Sequence, residues 1–341
     1  MTPAATTDTT VTKRGPLRRL SLVTPAFYGM VLLFALLFPE IAGAGRAVHI
    51  AVLVCIYGIL VYGLAFLYSA AGQLSVAHGA LWGIGAYTAA LVTLEWGWSF
   101  WASMPAAMVV AAIVAGLLGY PSLRVKGHYF LIASFAFAEI VRLVAVNWRG
   151  LTNGDTGLVI TSSPEPLGPI TLGSREEWYY FTLALLVVAI VVVAVLRRLP
   201  FGRRLAALRE NEELARAAGV NTTRDKVAAF MFSGLFAGVA GTCWAYYGHY
   251  VNPHQFGINT AIELILMLLI GSVHFPLGPL VGVLVVICMP EVLGFSPTQN
   301  EIALGAIFIA IILLAPKGVL VAGQNLAKRW YERLNGMRRA P

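Results

Sequence analysis

Charged side chains are scarce in this chain of 341 residues. They make up 12% of it, about half the share of an ordinary soluble domain, whereas 58% is hydrophobic. A water-soluble core has no room for that much apolar surface, so the composition indicates an integral membrane protein. Cysteine is almost absent. The three present, Cys55, Cys243 and Cys288, fall within apolar runs at spacings that match no zinc or redox motif, and they read as buried structural thiols, with no metal site. Aspartate is confined to Asp8, Asp155 and Asp225, all outside the apolar runs, which leaves an aspartyl intramembrane protease without its acids. None of the five lysines follows a glycine, so there is no Walker A cradle for nucleotide phosphates. No histidine precedes a glutamate and no serine sits in a nucleophile elbow, so zincin and serine-hydrolase chemistry are missing too. These absences argue against an enzyme and leave no catalytic residue to name.

What is present is a series of apolar runs at about the 20-residue length of a membrane span. They cover 23–39, 48–70, 74–94, 99–119, 128–147, 178–196, 227–248, 261–275, 277–293 and 301–315, and the fold class expected is an all-α polytopic membrane protein of about ten transmembrane or re-entrant helices. The eighth and ninth runs meet at "HFPLGP", whose prolines and glycine break a helix, so this pair reads either as two spans or as a re-entrant hairpin. Glycine, 34 residues in all, lies inside the runs, where small residues let helices approach closely. The first run has a second reading as a cleaved signal peptide, because "PEIAGAGRA" follows a basic segment.

The net charge of +8 suggests nucleic acid until the basic residues are located. With the N-terminus inside, 20 of the 24 basic residues fall in inner segments, three (Arg46, Arg149 and Arg175) in outer ones, and Arg142 within a span. That is the positive-inside pattern of a plasma membrane protein with both termini cytoplasmic, and not a nucleic-acid patch. The expected organisation is a disordered basic tail over 1–22, a membrane domain over 23–315 and a basic cytoplasmic tail over 316–341. Within the membrane domain lie an extracytoplasmic loop at 147–178 and a charged cytoplasmic loop at 199–226.

That charged loop contains "GRRLAALRENEELARAAGVNTTRDK". It is rich in helix formers, with Leu205, Leu208, Ala215 and Ala218 as an apolar flank, Gly219 as a left-handed terminator and Thr222 as the cap of the next span. Two readings are open. One is a solvated loop held near anionic lipid by its arginines. The other is a helix whose mixed charges dock into a partner protein, and with no energy-binding motif in this chain that partner would be an ATPase.

Ionisable groups inside the spans are costly and few. Glu139 and Arg142 sit three apart on one predicted helix face, either as a structural pair or as a pathway pair that meets a zwitterionic solute. Glu263 opens the eighth run, where an acid suits a helix N-terminus. His78 follows Gly72 and precedes Gly79, and it reads as an interior histidine or as the mark of a broken helix.

Five blocks, "GQLSVAHGALWGIGAYTAALV", "LRVKGHYFLIASFAFAEIVRLV", "LTNGDTGL", "RENEELARAAGVNTTRDKVAAFMFSGLFAGVAGTCWAYY" and "IELILMLLIGSVHFPLGPLVGVLVV", occur in the order found in M-type permeases of branched-chain amino acid ABC importers, which the chain resembles over about 48–315. The resemblance implies a type II importer-like permease. Its implied partners are an H-type permease, two cytoplasmic ATPases that use ATP and Mg, and an extracytoplasmic solute-binding protein, with no cofactor on this chain. It implies that Arg209, Glu210, Asn211, Glu212, Glu213, Ala217 and Gly219 belong to the ATPase-coupling helix, and that His78, Glu139, Arg142 and Glu263 are pathway candidates. Asn153 stands where the family's outer loop has glycine, and "GSVHFPLGP" departs from the family's glycine-rich stretch. Relatives carry urea, short amides or aromatic acids as well. An ion-coupled secondary transporter is the competing class, but it needs internal repeats and membrane-embedded coupling acids that are not seen.

Overall fold

The computed structural model describes residues 17–43, 45–72, 74–122, 128–168, 171–273 and 275–294, with scattered positions from 299 to 309. Residues 1–16 of the expected N-terminal tail, the C-terminal tail and most of the 301–315 run therefore lie outside the described residues, whereas 17–22, expected as disordered, are helical. The chain divides into two compact units, Met1–Val48 and His49–Pro341. The first contains α1 (Leu17–Ala42), one continuous helix. The second begins within α2 (Arg46–Ala71) and continues through α3 (His78–Trp96), α4 (Phe100–Ser122) and α5 (His128–Asn147). After the short α6 (Arg149–Thr152) come α7 (Arg175–Arg198), α8 (Pro200–Glu210), α9 (Glu212–Ala217), α10 (Thr222–Gly248), α11 (Ile258–Gly271) and α12 (Gly278–Leu293). The only strands among the described residues are β1 (Leu158–Val159) and β2 (Tyr250–Val251), an antiparallel clip that pairs Leu158 with Val251.

The first nine expected runs coincide with α1 to α5, α7 and α10 to α12. Among the described residues, six helical segments are long and apolar enough to cross a membrane, so the protein is multi-pass, while the count of about ten is not reached on that criterion. Part of the shortfall lies at α12, whose 16 residues reach roughly 24 Å at 1.5 Å per residue, against about 30 Å of hydrocarbon, whereas α11 with the turn before it counts among the six as Pro253–Gly271.

The core is α10 wedged between α3 and α4. Its run "SGLFAGVAG" places Gly234 and Gly238 one turn apart on the α4 side, where an added Cβ would lie 2.8 Å from Ala111 O and 2.6 Å from Met108 Cα. One turn further on, a Cβ on Gly241 would lie 2.6 Å from the backbone N of Ala86. Three helices thus touch backbone to backbone, the small-residue packing available where there is no hydrophobic drive between helices. Around this core, Tyr57, Trp82, Trp244 and Phe256 form a ring cluster with centroids 4.9 to 6.0 Å apart. Cys55 and Cys243 are buried free thiols, as their apolar surroundings predicted, and Cys288 is half-buried.

Helix ends sort onto two faces. On one, His49 Nδ1 meets Tyr247 OH at 2.7 Å, Trp178 packs edge-on against Tyr247, and β1 pairs with β2. On the other, Arg209 reaches Ser69 O and Arg204 binds Asp225. The second face carries Arg197, Arg198, Arg203, Arg204, Arg209, Arg216, Arg224 and Lys226, all from the end of α7 to the start of α10.

Candidate functional site

The charged island on the basic face is two helices. Pro200 starts α8 at a position where no backbone N–H is needed. Asn211 then leaves helical geometry, and its side chain accepts from the N–H groups of Glu213 and Leu214, both at 3.0 Å, which begins α9. Gly219 ends α9 at φ +85°, and Val220 N bonds back to Ala215 O as a left-handed terminator requires. The cap of α10 is Asn221, which accepts from Arg224 N at 3.0 Å; the expected cap, Thr222, is instead the first helical residue. Asparagine is as good a cap as threonine, and here the chain turns one residue earlier.

Two ion pairs fasten this element. Arg204 donates twice to Asp225, at 2.7 and 3.1 Å, and the carboxylate holds the guanidinium above its usual pKa range. Lys226 Nζ lies 2.9 Å from Glu212 Oε2, with Arg216 donating to the other oxygen. Of the sequence-selected residues, Glu212 therefore faces the protein, Arg209 reaches back over the Tyr68 ring and Asn211 serves as a cap. Glu210, Glu213, Ala217 and Gly219 are exposed. So is Leu214, at 69%, a residue that composition alone did not single out. Leu205, Leu208 and Ala215 form the buried flank, whereas Ala218 is exposed.

A second site lies in the C-terminal half of α5, toward the face that carries β1 and β2. Arg142 donates to both carboxylate oxygens of Glu139, through Nε at 2.9 Å and through Nη2. Arg142, Tyr87, Trp148 and Phe256 help line a largely apolar cavity of about 180 Å³ between α3, α5 and the 3-10 turn Pro253–Phe256. Tyr87 OH is buried without a hydrogen-bond partner. Sequence reading missed Tyr87, because a tyrosine within "GIGAYTAALV" carries no motif of its own.

The outer wall of this site is the "TNGDTG" turn. Thr152 Oγ1 donates to Ala145 O and Trp148 O, and Asn153, at φ 59°, donates to Gly157 O. Asp155 binds His254 at 2.6 Å and Asn252 through its carbonyl. Asparagine enters the left-handed region more readily than other side chains, which accounts for Asn153 in the place of a glycine.

The remaining pathway candidates lie elsewhere. His78 is buried, with Nε2 on Leu60 O at 3.1 Å and Nδ1 on Ser233 Oγ at 3.3 Å, so it joins α2, α3 and α10 as an interior histidine. It is the first residue of α3, after the connection that separates the second and third expected runs. Glu263 sits half-buried in the second turn of α11, beyond the first turn where a helix N-terminus favours an acid.

Residues 46–315 match the family described as the branched-chain amino acid transport system permease component. The chain belongs to this permease family. It is 30% identical over 316 residues to the high-affinity branched-chain amino acid transport system permease protein LivM of Salmonella typhimurium, a match covering 86% of this chain and 74% of that protein. It is 25% identical over 287 residues to LivH of the same organism, covering 77% and 91%. It is 29% identical over 182 residues to the guanosine ABC transporter permease protein NupQ of Bacillus subtilis, covering 48% and 55%. No solved structure matches the chain. The permease is a transport subunit of an ABC importer and not an enzyme.

Proposed function

We propose that this permease carries branched-chain or related hydrophobic amino acids inward across the bacterial plasma membrane, with the α8–α9 face and both termini cytoplasmic. The observation that carries the solute class is the Glu139–Arg142 pair beside an apolar cavity with an unpaired Tyr87 hydroxyl. On α5, a pair left 35% and 23% exposed at membrane depth does not face lipid tails without heavy cost, so this side of α5 lines a polar pathway. Arginine suits a carboxylate, glutamate an ammonium, and the apolar wall an aliphatic side chain.

In this reading a solute-binding protein delivers the amino acid to a pathway between this chain and an H-type permease. Of two ATPases that bind Mg and ATP, one engages α8–α9, and this chain holds no cofactor. The exposed part of α9, rigidly capped and tied to α10, supports the docking role. Urea, short amides, aromatic acids and guanosine are the competing solutes.

Mild-detergent purification of the tagged chain from cells expressing its neighbours tests the assembly, with mass spectrometry to identify what accompanies it. Two ATPases and a second permease are expected. A chain that comes out alone where other transporter complexes survive would overturn the importer assembly proposed here. Uptake of labelled leucine, urea, acetamide, phenylalanine and guanosine by the reconstituted complex then decides the solute.

A further inference from the structure

On α7, Ile190, Val193, Ala194 and Arg197 recur at the i, i+3, i+4, i+7 spacing of one helix face. Facing Tyr62 and Pro276, they line a mostly apolar cavity of about 200 Å³. Two arginines border it, the exposed Arg198 and the half-buried Arg197, and Arg197 is poorly served. Arg197 Nε is buried with no hydrogen-bond partner, and Nη1 reaches only Val273 O at 3.5 Å. Across the same cavity the Tyr62 hydroxyl donates to Pro276 O at 2.7 Å. A guanidinium has five donors in a planar fork, and leaving its Nε buried and unpaired is costly, so an acceptor-rich anion suits this site.

Depth and shape identify the anion. The stretch from Arg175 to Arg197 spans about 33 Å of helix, close to the thickness of the hydrocarbon layer, which puts Arg197 at the headgroup level of the basic face. The slot leading away from it toward the bilayer centre is apolar. A soluble anion makes no use of that slot, whereas an amphiphile fills both parts.

We propose that this slot binds an anionic phospholipid, with its phosphate on Arg197 and an acyl chain along Ile190, Val193 and Ala194. The full-length chain in mild detergent is exposed to equal amounts of phosphatidylglycerol and phosphatidylethanolamine, and retained lipid is read by native mass spectrometry. Phosphatidylglycerol should be retained preferentially. Arg197→Gln should lower that retention about fivefold, the scale of one arginine at an anionic surface. Ala194→Phe, which fills the slot but leaves the guanidinium, should lower it similarly and keeps the test open if Arg197→Gln fails to fold. Arg203→Gln, on an exposed position, should have little effect. No preference in the unaltered chain, or unchanged retention in Ala194→Phe, overturns the proposal. Competition by millimolar inorganic phosphate with Ala194→Phe still binding phosphate would make this a soluble-anion site and also overturn it.

Discussion

Lys226 Nζ sits 2.9 Å from Glu212 Oε2, and the lysine side chain is 4% exposed while the glutamate is 17% exposed. This pair fastens α9 to the start of α10, the helix at the centre of the core, so under the function proposed above a push on α9 would reach that core directly. Removing one partner of a buried pair leaves a charge without compensation, at a cost of about 3–5 kcal/mol, whereas removing both together costs far less. Lys226→Met should therefore lower the thermal unfolding temperature clearly, and Lys226→Met with Glu212→Gln should recover most of the loss. A double variant no better than Lys226→Met alone would deny the pair its structural role.

Because Glu212 is bound inward, its substitution confounds docking with folding, and the cleaner probe is Leu214. An exposed leucine on a capped helix is the kind of anchor that a groove receives, and truncating such an anchor costs on the order of 1–2 kcal/mol in binding. Leu214→Asp should abolish ATPase co-purification and uptake while leaving the melting temperature of the isolated chain within about a degree. Retention of the ATPase would place the docking surface elsewhere.

The contrast between these residues shows what the sequence made legible. Apolar run lengths located nine helices because spanning a bilayer demands them, and Gly219 announced the end of α9 because few other residues adopt its φ of +85°. The charged island was recognisable as helical, yet the break at Asn211 was not, since asparagine within helix formers is ambiguous until its side chain is seen capping two N–H groups. Which way Glu212 and Glu213 point depends on where Lys226 lies, and that is a tertiary fact. Glu139 and Arg142 were paired by spacing alone, while Tyr87 and Phe256 joined them only through the packing of α3 against the outer turn.

At the α5 site, Arg142→Lys keeps the charge but loses the fork that grips Glu139 and is suited to a carboxylate. It should raise the KM for uptake about tenfold with the complex still assembled. Tyr87→Phe, which removes only the unpaired hydroxyl, should raise KM several-fold without loss of stability, because no hydrogen bond within the protein is broken. Equal uptake kinetics for both variants and the unaltered permease would remove this cavity from the pathway.

Asn153 offers a backbone test of the outer turn. At φ 59°, alanine is strained by about 1–2 kcal/mol and also loses the bond to Gly157 O, whereas glycine enters the same region freely. Asn153→Ala should loosen the turn and speed amide exchange of Gly154 to Gly157. Asn153→Gly should keep the turn conformation and most uptake activity. Faster exchange in both alike would assign the effect to the side-chain bond and not to the left-handed backbone.

The α11–α12 pair makes the most demanding prediction, because its contact is made of backbone. A Cβ on Gly282 would lie 1.7 Å from Met267 O, and one on Gly271 1.9 Å from Gly278 O, so no rotamer change relieves either substitution. Gly282→Ala should part the two helices and abolish stable expression. Gly294→Ala, at a left-handed position with open space around it, should cost only the local strain of about 1–2 kcal/mol. A pair held this tightly is expected to move as one hairpin with its turn at one face. A cysteine at Pro276, introduced with the native cysteines removed, should then react with a membrane-impermeant maleimide only from the face that carries α8 and α9. Tyr62 OH binding Pro276 O and Arg197 beside Val273 already put the turn on that side of the core. Labelling from the face of β1 and β2 would mean that α11 and α12 are ordered differently across the bilayer.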